Sequence, residues 1–91
     1  MNFKIFKIRF FNMTPKEFPE QNILFGADQP EYLPLPAHRN EQGDVITCWE
    51  LSEEEVKTII ETKCIFLSLK TFNEPLQPVF ITADRSELFS E

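Results

Sequence analysis

The chain has only two glycines, two cysteines, one histidine, one tryptophan and one tyrosine. These shortages narrow the function classes open to it. Gly26 and Gly43 stand far apart, so there is no glycine-rich loop to cradle a phosphate. Cys48 and Cys64 form no Cys-x-x-Cys pair, and with His38 they are the whole supply of soft metal ligands. Zinc sites use close ligand pairs and four ligands, or three plus water, and these three residues are scattered. The expectation is therefore no metal and no cofactor, with both cysteines buried as thiols in a reducing compartment. A Cys–His nucleophile pair lacks a local group to orient the histidine or an oxyanion hole. Long apolar runs are also missing: nothing approaches the ~20 residues of a membrane helix. The start, MNFKIFKIRFF, is broken by charges and lacks the apolar core and cleavage site of a signal peptide. A cytoplasmic protein without membrane contact is expected.

What is present is phenylalanine, ten of them in 91 residues, and acid. A chain of this length makes one small domain, and a hydrophobic fraction of 42% gives it enough apolar surface to fold. The formal charge of −6 is unevenly spread. Residues 1–16 carry Lys4, Lys7, Arg9 and Lys16 and no acid, whereas residues 17–91 carry fifteen acids against five bases, a net of −10. Phosphate binding needs clustered Lys and Arg, so nucleic acid is an unlikely partner for the acidic body. The basic start is either a strand with solvated charges or a segment that pairs with acids in the body or in a partner.

Periodicity gives the elements. Residues 3–11 read as a strand, with Phe3 and Ile5 on one face and Phe6, Ile8 and Phe10 on the other, a phase slip that a bulge or two-sided burial explains. NMTPKEFPEQ is a polar connector. Residues 22–27 form a second short strand ending near Gly26. In QPEYLPLPAHR, Pro30, Pro34 and Pro36 share one parity, so one edge loses its donors and the other keeps them at Leu33, Leu35 and Ala37. That predicts an edge strand paired with residues 45–51 and blocked on its other side. The loop NEQGD has Gly43 as its best left-handed position. Trp49, on the alternating strand VITCWEL, reads as a core residue in preference to a binding anchor.

Ser52-Glu53-Glu54-Glu55 is a capping box that starts a helix ending near Lys63, with Leu51 and Val56 spaced as a hydrophobic staple. Capping and the helix dipole account for the three glutamates better than acid–base chemistry does. Val56, Ile59 and Ile60 make a narrow apolar stripe. Residues 64–72 read as a strand, with Ile65, Leu67 and Leu69 on one face and Phe66, Ser68 and Lys70 on the other. Residues 79–83 read as a last strand, and 85–91 as a tail that frays or forms one helical turn. The whole predicts an α+β domain over 1–91: a mainly antiparallel sheet of about five strands with one short helix, about 52–63, packed on one face. Phe66 and Phe72 lie away from the helix-covered face, so they are expected at a surface used for a protein partner or for self-association. His38, Arg39, Glu53 and Glu54 complete the candidate interaction residues.

From about Met13 onward the chain resembles a family of small phage- and prophage-encoded proteins. FPEQN, DQPEYLPLPAHR, VITCWELSEEE, IFLSLKTFNEPLQP and ADRSELF carry the resemblance over most of residues 18–89. It implies a gene expressed in a bacterial host and supplies no activity to transfer. Members of that family have a more basic and aromatic helix start after the tryptophan. Here SEEEVKTIIETK is acidic, which weighs against an anionic partner. The expected function is a non-enzymatic accessory protein that binds a host or defence factor, a narrower version being acidic mimicry of nucleic acid. The alternative is a minor virion or assembly component, and an enzyme or metal protein comes third.

Overall fold

The computed structural model describes residues 13–28 and 34–89. The strand expected at 3–11, its basic residues, and Pro30 to Leu33 of the proline stretch lie outside the described residues. Among the described residues are five strands in two antiparallel sheets and one helix, a small α+β fold. Strands β1 (Thr14–Lys16) and β5 (Cys48–Glu50) make one sheet, and β2 (Ile23–Phe25), β3 (Leu35–Arg39) and β4 (Val45–Ile46) the other, in the order β2-β3-β4. Helix α1 is Glu53–Thr62, and a single 3-10 turn spans Arg85–Glu87. The helical-turn form of the tail is the one present.

Proline parity explains the sheet, with one correction to the edge-strand expectation. Strand β3 is the central strand, not an edge. The Arg39 amide donates to Asn22 Oδ1 (2.8 Å), and the Ala37 carbonyl accepts from the Asn22 amide (2.8 Å). The groups of Ala37 and Arg39 therefore face β2, and this donor-bearing edge is taken by Ile23–Phe25 in the register Ile23↔Ala37, Leu24↔Pro36, Phe25↔Leu35. On the opposite edge the Asn40 amide donates to the Asp44 carbonyl (3.1 Å), and β4 pairs only at Arg39↔Val45 and His38↔Ile46. The next donor along that edge would belong to Pro36, which has none. The returning chain leaves β3 there and pairs with β1 instead, in the register Lys16↔Cys48, Pro15↔Trp49, Thr14↔Glu50. Strand β1 falls in the segment read as a connector. It is three residues long and contains Pro15, so its strand character comes from β5 rather than from its own propensity.

The hairpin loop closes as expected. Gly43 has φ 90°, and Asn40 Oδ1 accepts from the Asp44 amide (2.8 Å) while its own amide group donates to Asp44 Oδ2 (3.1 Å). Among the described residues, Phe18, Leu35 and Ala37 are the buried hydrophobic ones. Trp49, expected in the core, is half-buried, with its indole N–H donating to Thr47 Oγ1 (2.8 Å).

Helix α1 has the predicted capping box in full. The Glu55 amide donates to Ser52 Oγ (3.2 Å), and the Ser52 amide donates to Glu55 Oε1 (2.9 Å). Lys63 ends it in the left-handed region at φ 57°. The expectation that the helix packs on one sheet face is overturned: none of its residues is buried, and Ile60, on the apolar stripe, is 68% exposed. At ten residues it is shorter than isolated helices usually tolerate, so its caps matter more than its packing.

The strands expected at 64–72 and 79–83 are also overturned. Both stretches lie outside regular structure. Strand propensity reports how well a side chain fits a pleated, half-buried surface. Among the described residues α1 covers no sheet face, and they provide no such surface.

Candidate functional site

Two features stand out beyond the core. The first is a polar junction that ties the C-terminal turn to the β2–β3 region. His38 Nδ1 donates to the Glu20 carbonyl (2.7 Å), which leaves Nε2 as the acceptor when the ring is neutral. The edge of one ring meets the other between His38 and Phe89, centroids 5.2 Å apart at 84°. Arg85 holds the Glu20 carboxylate in a two-pronged bond, Nε to Oε2 at 2.9 Å and Nη2 to Oε1 at 2.8 Å. The 3-10 turn that presents Arg85 is capped by Asp84, whose carboxylate accepts from the Ser86 amide (2.9 Å) and hydroxyl (2.7 Å). Those bonds hold the Asp84 carboxyl below its ordinary value. Arg39 is exposed. Its backbone is clamped by the Asn22 side chain, and its guanidinium lies 5.3 Å from the Phe25 ring centre. His38 and Arg39 are thus engaged in holding structure together. Glu20, Asn22, Arg85 and Phe89 were not singled out in the sequence, since Arg85 and Glu20 are 65 positions apart and nothing local links them.

The Arg85 hydrogen bond lowers the Glu20 carboxyl below its ordinary value. A carboxyl lowered on folding adds stability above its unfolded pKa, and that contribution is lost as pH falls through the folded value. We expect the side-chain carbonyl resonance of Glu20 to titrate below the ordinary glutamate range, and to return to that range in Arg85→Gln. An ordinary midpoint in the wild-type chain would contradict the pairing.

The second feature is an apolar arm. Between the left-handed residue Lys63 and the turn at Thr82–Asp84, nine large apolar side chains from Ile65 to Ile81 are exposed. Phe66 is 99% and Phe72 76% exposed, with Lys70 Nζ 5.8 Å from the Phe72 ring centre. Ile65, Leu67 and Leu69, expected under the helix, are exposed as well. Among the described residues, Lys63, Phe72 and Asn73 are the non-glycine residues at positive φ, so residues 64–71 run between two left-handed breaks. Glu53 and Glu54 are exposed in the first turn of α1. The six candidate interaction residues therefore stand on three separate elements: His38 and Arg39 on β3, Glu53 and Glu54 on α1, Phe66 and Phe72 on the arm.

Cys48 is half-buried and Cys64 exposed, both as free thiols, which corrects the expectation that both are buried. Cys64 follows the helix C-cap at the start of the uncovered arm, so no core is offered to it. Among the described residues no group of three or more His, Cys, Asp or Glu is placed to hold a metal, and no helix is long and apolar enough to cross a membrane. No family model, curated protein or solved structure matches this chain. Apolar patches larger than a few hundred Å² are rare on monomeric proteins and mark interaction sites.

Proposed function

We propose that this is a non-enzymatic accessory protein, phage- or prophage-encoded, that acts in a bacterial host by binding another protein through its C-terminal apolar arm. The observation that carries the reading is Phe66, 99% exposed within a run of exposed apolar residues. A phenylalanine left in water contributes nothing to the fold, and the same ring buried in a partner's pocket is a strong source of binding energy. The His38 and Arg39 backbone and ring contacts support a structural use of those residues rather than chemistry. The acidic first turn of α1 adds a negatively charged rim beside the arm in sequence, which suits a partner with a basic border.

The test is affinity capture from a bacterial host lysate with the tagged full chain, compared with Phe66→Ala, Phe72→Ala and Glu54→Lys. A specific protein is expected to be retained by the wild type. Loss of one anchoring aromatic costs about 2 kcal/mol, so Phe66→Ala should weaken binding about 30-fold. Retention of nothing above background, or of a partner indifferent to both phenylalanines, overturns the reading.

A further inference from the structure

Among the described residues, 65–70 combine two unmet needs. Their apolar side chains are exposed, and their backbone N–H and C=O groups make no hydrogen bond to any described residue. A β-prone segment with free backbone groups is a template for strand addition. We infer that residues 64–70 pair antiparallel with the same residues of a second copy, in a register centred on Leu67. This rests on the reading of the arm as an interface and names the occupant of its first part.

Two observations favour a second copy. The first is self-complementarity. Centred on Leu67, the register sets Ile65 opposite Leu69, Leu67 opposite its own counterpart, Phe66 opposite Ser68 and Cys64 opposite Lys70. One face becomes a continuous row of six aliphatic side chains. On the other face each bulky or charged group meets a small one, and Lys70 never opposes Lys70. Cross-strand pairs of this kind are what stabilise a sheet, and opposed like charges are what they must avoid.

The second observation is charge. Two copies with bodies as acidic as this repel each other except where acid is absent. Residues 62–73 contain no Asp or Glu, the longest such run among the described residues, and they lie between Glu61 and Glu74. A twofold axis through Leu67 closes the assembly at two copies.

Sedimentation equilibrium of the purified full chain tests this. Twice the chain mass is expected at micromolar concentration. Leu67→Lys sets two ammonium groups face to face on the axis and should return the chain to monomer mass. Leu67 is exposed, so this variant leaves the core intact, and unchanged Trp49 fluorescence verifies that. Leu67→Cys, in a Cys48→Ser/Cys64→Ser background, should cross-link to itself under a mild oxidant, and Glu74→Cys in the same background should not. A monomer mass overturns the inference while leaving capture of a different protein by the arm intact. A dimer that persists in Leu67→Lys, a mass beyond two copies, or failure of Leu67→Cys to cross-link also overturns it.

Discussion

Phe18→Ala is expected to remove most of the chain's stability at room temperature. Phe18 is 8% exposed and, with Leu35 and Ala37, is one of three buried hydrophobic residues among those described. Removing a buried phenylalanine ring costs about 3–5 kcal/mol, the transfer energy plus that of the cavity left behind. Small domains have about 5 kcal/mol to lose at the low end of the usual range, and 91 residues make a small domain. The loss is also local. The Phe18 amide donates to Gln21 Oε1 (2.8 Å) and its carbonyl accepts from the Gln21 amide (3.1 Å), a turn that delivers Asn22 to its clamp on Arg39. Urea titration followed by the fluorescence of Trp49, the single tryptophan, is the measurement. A midpoint within experimental error of the wild type would show that the core lies elsewhere.

Ala37→Asp is the second large effect, and its size depends on pH. Ala37 is 0% exposed, at the middle of the central strand opposite Ile23. A carboxylate there loses its hydration, which costs several kcal/mol unless a cation is placed to receive it. Burial raises a carboxyl pKa, because it disfavours the charged form. The penalty is therefore full above the raised folded value and shrinks as pH falls through it. The variant should be unfolded at neutral pH and partly recovered in mild acid, a trend opposite to that of the Glu20–Arg85 pair. Circular dichroism across that range checks it. Equal destabilisation at every pH would mean that steric overlap, not charge, dominates.

Sequence patterning succeeded where a feature is decided by neighbours in the chain. The capping box at Ser52 and Glu55 is a matter of three residues, and both of its hydrogen bonds are present. Gly43 was read as left-handed from its place in a polar loop, and it is. The α+β class and the antiparallel pairing are likewise as expected. Alternation misled at residues 64–72, where the pattern describes a good strand and the described chain supplies no neighbour to hydrogen-bond with it. It missed β1, whose three residues with a proline have little strand character until β5 lies beside them.

The candidate interaction residues divide in the same way. Phe66 and Phe72 were picked as surplus aromatics, a property of composition and parity. The roles of His38 and Arg39 depend on Glu20, Phe89, Asn22 and Phe25, which come from elsewhere in the chain. No local pattern encodes such pairings.

By itself the sequence determined the donor pattern of the central strand. Proline has no amide hydrogen wherever the chain goes, so Pro34 and Pro36 strip one edge before any fold exists. It also determined the helix start, the acidity of the body and the acid-free run at 62–73. Only the tertiary structure decided which strand takes which edge. Strand β2 has the edge with intact donors, β4 pairs just past Pro36, and β5 turns to β1. The physical reason is that a missing donor forbids a bond at a position without naming the strand that pairs beside it. That choice is made by packing among residues distant in sequence.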